Sequence, residues 1–115
     1  NKKASVKKVI EMNLSLIQTK KSLLLAKNET DLIWKNLWLP FDSGSIKNHI
    51  RNFKLATTQK IKHELTHRTL EINLKTYSAL KELEIETNQT YKWIKKDRIE
   101  QYGLPKPISK AIKEL

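Results

Sequence analysis

The sequence contains no cysteine, only two glycines and three prolines, and no apolar run approaching the 18 or so residues that span a bilayer. Without cysteine there are no disulfides and no thiolate metal sites, and nothing points to an oxidising compartment, so the expected location is cytoplasmic. Two glycines standing far apart, Gly44 and Gly103, leave no glycine-rich loop to cradle phosphates. A cysteine nucleophile is excluded, and no serine stands in a nucleophile elbow. The opening Asn-Lys-Lys is not followed by an uninterrupted apolar segment or a small-residue cleavage site, so no signal peptide is expected. The chain does not begin with methionine, which leads to the expectation that it is part of a longer protein.

What is present is positive charge. Lys and Arg number 23 against 12 Asp and Glu, a formal net charge of +11 over 115 residues. A field of that sign attracts polyanions: DNA, RNA or an anionic membrane. The length fits one domain able to bury its own core. Abundant Lys, Leu, Ile and Glu, with so little glycine and proline, favours helices. The expected fold class is therefore all-α, a small helical bundle forming a single domain over 1–115.

Apolar spacing gives the expected elements. A long N-terminal helix over 1–27 has Val6, Val9, Ile10, Ile17 and Leu24 on one stripe and Leu16 and Leu23 beside it; Leu14 and Leu25 fall off it. A helix so apolar around its circumference is expected to be sandwiched or to form a homodimer through 4–27. Asn28 caps a short helix over 29–39, in which Trp34 and Trp38 lie one turn apart, as core or as a partner-binding spot, and Pro40 ends it. A long helix over 46–75, broken near Thr57 and Thr58, carries one stripe of Leu65, Thr69, Ile72 and Thr76 and a second of Leu70, Leu74 and Tyr77. Pro107 opens a last short helix over 107–115.

The stretch 79–94 reads Ala-Leu-Lys-Glu-Leu-Glu-Ile-Glu-Thr-Asn-Gln-Thr-Tyr-Lys-Trp-Ile. Ala79, Leu80 and Leu83 share one side of a helix, Ile85 plugs a turn, and Thr87 caps a second helix that points Thr90, Trp93 and Ile94 inward. Over about 79–96, within a helix-turn-helix-like element expected over 77–96, this pattern resembles the excisionase-type helix-turn-helix family, with Glu84 and Thr90 departing from the family's glycine and aliphatic residue. The resemblance implies a DNA-binding protein, an accessory or regulatory factor that inserts 87–96 into the major groove. Asn88 and Gln89 then face base edges, and Lys92, Lys95, Lys96 and Arg98 the phosphates. Double-stranded DNA is the expected partner; no cofactor, no enzymatic activity and no membrane span are expected.

Two alternatives come from other residues. One is a helical bundle that works as a protein interaction module. The other is a zinc-dependent peptidase, because His63-Glu64-Leu65-Thr66-His67 spells H-E-x-x-H, which on a helix puts two histidines one turn apart around Zn²⁺, with Glu71 as the third ligand. Lys60, Lys62 and Arg68 crowd that motif with cations, and the histidines are expected to be incidental.

Overall fold

A computed structural model describes residues 7–31 and 33–115. The chain is built around a sheet. Among the described residues seven strands run β1 (Lys8–Gln18), β2 (Ser22–Lys27), β3 (Trp38–Leu39), β4 (Phe41–Asp42), β5 (Lys54–Glu64), β6 (Arg68–Ser78) and β7 (Tyr91–Lys95). The same residues form two α-helices, α1 (Lys47–Ile50) and α2 (Lys106–Lys113), and two 3₁₀ segments (Ser43–Ile46 and Lys96–Gln101). The expected all-α bundle is overturned. The helix expected over 1–27 is instead the hairpin β1–β2 where it is described, and residues 1–6 lie outside the described residues. The helix through which a homodimer was expected, 4–27, is therefore not formed where it is described.

The error has one physical source, the period. On β6, Leu70, Ile72, Leu74 and Thr76 alternate with Glu71, Asn73 and Lys75, and all four of the first set are buried. Read at helical spacing, this single face had been split into two stripes. On β1, Ile10, Met12, Leu14 and Leu16 form the matching row, each beside its counterpart on β6 in parallel register. Leu14, off-stripe for a helix, is in step for a strand. In Ser22–Lys27 five consecutive residues are buried because β2 is covered on both faces, which erases alternation altogether. Thr57, Thr58, Thr69 and Thr76, poor helix formers, are β-branched residues that suit the pleat.

The strand order is β3-β2-β1-β6-β5, with β4 pairing to β1 and β7 to β2. Leu23 and Leu25 of β2 face a core shared with Ile108 and Ala111 of α2; Leu24 and Ala26 face a second core with Phe41, Ile46 and Ile85. Helical segments thus cover both faces. The segment expected as a helix over 46–75 is α1 followed by the long hairpin β5–β6, whose turn lies at 65–67. The helix-turn-helix expected over 77–96 is the end of β6, a connection, and β7; among the described residues none of 79–95 is helical. The C-terminal segment forms α2, opened by Pro105 as its N-cap and Pro107 in its first turn. No helix among the described residues is long and apolar enough to cross a membrane.

Candidate functional site

Among the described residues β1 pairs with β2 only at Ile17 and Gln18 and with β4 only at Leu14 and Ser15. Toward its start, β1 therefore diverges from β2 and a cleft opens between them, with a volume of about 550 Å³. Ile10, Met12 and Leu14 of β1 form its apolar floor, facing Ala26, Leu39 and Pro40. Lys8 and Arg68, directly paired in register, bring two cations to it; Asn28 and Gln89 line it as amides and Glu11, Asp31 and Asp42 as acids.

One wall is the loop between β2 and β3, and Asn28 organises it. Its side-chain amide donates to the carbonyls of Ile33 (2.8 Å) and Trp34 (3.1 Å), and its Oδ1 accepts from the Asp31 N–H (3.1 Å). Its backbone N–H donates to the Leu37 carbonyl and its carbonyl accepts from the Asn36 N–H. Trp34 and Asn36 hold positive φ, 62° and 69°. Asn tolerates that region; a bulky Trp there is strained and persists only where surroundings fix it. Here packing on the core and a tilted contact with the His63 ring, 6.0 Å between centroids, supply that restraint. Asn28, expected as a helix cap, caps a loop instead.

The other flank is the β5–β6 turn. The Lys8 N–H donates to the His67 carbonyl (3.4 Å) and the Leu65 N–H to the Arg68 carbonyl (2.7 Å), which seats Thr66, His67 and Arg68, all exposed, beside the start of β1. Glu64 accepts from Thr69 Oγ1 (2.6 Å) and Lys7 Nζ (3.1 Å) and lies within 3.8 Å of Lys62. The Thr69 hydroxyl first, then Lys7, holds its carboxyl below the ordinary value of 4.5.

Neither the helix expected to read DNA nor the helix of the alternative metal site is formed. His63 shares the α2-facing side of the sheet with Leu70 and Ile72, Glu71 projects from the opposite face, and His67 sits in the turn, so H-E-x-x-H is not on a helix and its ligands diverge. Among the described residues no group of three or more His, Asp or Glu is placed to hold a metal ion. Of the expected readers, Asn88 and Gln89 lie before β7, Lys92 and Lys95 on β7, and Lys96 and Arg98 in the 3₁₀ segment. Lys92 lies over Trp38 and Tyr102, about 6.0 and 5.6 Å from the ring centroids, and Lys95 is 3.7 Å from Glu82. Only Gln89 lines the cleft. Lys8, Asn28 and Arg68 were missed as a set: alternation on either side of 65–67 marks the β5–β6 hairpin, but Lys8 meets Arg68 only across the parallel pairing of β1 with β6.

This split sheet, with helical segments on both faces and a cleft at its diverging strands, is a mixed α/β architecture. Residues 13–114 match the family model of the NUDIX domain, and the chain belongs to that family. The structure is similar to the MutT protein from Methanosarcina mazei Go1 (14% identity, TM-score 0.66, covering 96% of this chain and 95% of that one). It is similar as well to the C-terminal domain of mouse MUTYH, solved in complex with human PCNA (8% identity, TM-score 0.66, 90% and 86% covered). A third is the NUDIX domain of Shewanella oneidensis NrtR, solved with ADP ribose (11% identity, TM-score 0.58, 96% and 87% covered). At these identities the likeness speaks for the fold. No curated protein matches the sequence.

These findings overturn the excisionase-type resemblance, the regulatory DNA-binding function read from 87–96, the helical interaction module and the zinc peptidase. The expectation of a non-enzyme gives way as well, because the chain belongs to a family whose solved members include Nudix hydrolases. Such hydrolysis uses a divalent cation held by carboxylates. The donor set here does not fit one. No Asp or Glu stands between Asp42 and Glu64, the stretch that contains α1, and Asp42 Oδ2 is engaged by the Gly44 N–H at 3.1 Å.

Proposed function

We propose that this NUDIX domain recognises a nucleotide presented in double-stranded DNA, taking its base or sugar into the cleft between β1 and the 28–37 loop. The observation that carries the reading is the pairing of Lys8 with Arg68 at an apolar-floored cleft, beside an exposed turn that offers Thr66 and His67. Phosphates on either side of the nucleotide meet these two cations, Asn28 and Gln89 supply amides to base edges, and the net charge of +11 steers the duplex. We place this activity in the cytoplasm. A second reading, hydrolysis of a free nucleotide, is favoured by family membership and by the ADP ribose bound to the NrtR domain.

One experiment separates the two. Fluorescence anisotropy with a labelled duplex at two salt concentrations is expected to give binding that weakens with salt, with Arg68→Ala reducing affinity about tenfold. In parallel, ADP ribose is incubated with magnesium and product is followed. Turnover of ADP ribose without duplex binding would replace the first reading by the second.

A further inference from the structure

A second surface lies on the far side of the sheet. β5 pairs with β6 over Lys54–Glu64, interrupted by a bulge between Leu55 and Thr57 and regular from Thr57 to Glu64, and among the described residues no strand pairs with its other edge. Eleven residues in extended form present about 35 Å of backbone donors and acceptors. So long an open edge is a template for another strand unless something blunts it.

Charge on both flanks of that edge decides what kind of strand fits. Lys60 and Lys62 project from the exposed face of β5, while Ile61 and His63 face α2. Between β5 and α2 runs a groove of about 450 Å³, with Lys106 and Lys110 on its helical wall and Glu114 as its one carboxylate. Lys60, Lys106 and Lys110 make no ion pair among the described residues. Lysines on a strand do protect an edge from pairing. Lys106 and Lys110 stand on the helix beside it, where they do nothing for edge protection and add a second row of unneutralised charge. A second copy of the chain is disfavoured, because it would bring one strongly basic surface, on a chain of net charge +11, against another.

We propose that the β5 edge and the groove beside α2 take up an extended acidic segment of a partner protein as an added strand. Its backbone pairs with β5 and its carboxylates meet Lys60, Lys106 and Lys110. This interface is separate from the cleft, which opens on the other side of β1.

The probe is a fluorescent peptide rich in glutamate with valine at alternate positions, titrated into the whole chain. Binding is expected at low salt, with Lys60→Glu and Lys110→Glu together weakening it about tenfold or more. Two versions of the peptide, N-methylated at alternate residues, read the backbone: one is expected to lose binding and the other to keep it. Both variant positions are exposed, and amide spectra of the free variant check that the fold is intact. Equal binding by the two methylated peptides would reduce the effect to bulk charge and overturn the proposal. So would absence of binding at low salt, or a duplex that displaces the peptide while the lysine variants weaken both alike.

Discussion

β1 belongs to two different regions, and the change falls at Leu14. From Lys8 to Asn13 its outward residues are exposed and only one face is covered; from Leu14 to Ile17 every residue is buried. The inner region, with β2 and β7, is closed on both sides by α1, α2 and their flanking segments. The outer region, with β6 and β5, is a hairpin with one wet face and a turn that reaches the cleft. The inner region holds the fold together, and the outer region carries the exposed chemistry. Cations, amides and the strained Trp34 gather where the two diverge.

The largest expected effect tests the stability side of this contrast. Leu24→Ala removes a side chain of zero exposure and should cost about 3 kcal/mol in urea unfolding, whereas Val9→Ala, at a position 57% exposed, should stay within about 0.5 kcal/mol. Comparable costs at the two sites would erase the distinction. Asn28→Ala comes next. It strips three side-chain hydrogen bonds from the loop and should cost about 2 kcal/mol, with weaker duplex binding because the cleft wall loosens.

A smaller effect on stability but a clear one on binding is expected from Lys8→Ala with Arg68→Ala. Together they should flatten the dependence of log affinity on log salt by about two, one for each phosphate contact. Lys95→Ala, which removes a cation on the neighbouring β7 already paired with Glu82, should change that slope far less.

The smallest effect is at the turn. Because the carboxyl of Glu64 lies below its ordinary value of 4.5 when folded, its contribution is fully present above that value and is lost as pH falls through the depressed one. The group is exposed, so the consequence is local. Amide exchange at 65–68 should rise in strongly acidic solution relative to β2, and Glu64→Gln should remove the difference.

The inner region was the harder one to read from sequence. Five successive buried residues in Ser22–Lys27 carry no period, so a strand covered on both faces and a buried helix look alike. The outer region was legible in principle: Gln59, Ile61 and His63 alternate, as do Leu70, Ile72, Leu74 and Thr76. The absence of glycine or proline at 65–67 hid the turn, which here is closed by Thr69, Glu64 and Lys7 rather than by a turn residue. The positive charge was visible throughout. Its convergence was not, because Lys8 and Arg68 are neighbours only across a parallel pairing of strands 60 residues apart, which no local pattern encodes. Among the residues singled out for base reading, Gln89 reaches the cleft through the connection before β7, for a reason unrelated to the helix it was expected to occupy.

The account turns on where a duplex touches the protein, and an amide chemical-shift titration measures that directly. With a short duplex added stepwise at low salt, the largest shifts are expected at Lys8, Ile10, Asn28, Asp31 and 66–68, around the cleft and the turn beside it. Shifts confined to 91–98, with the cleft silent, would contradict it.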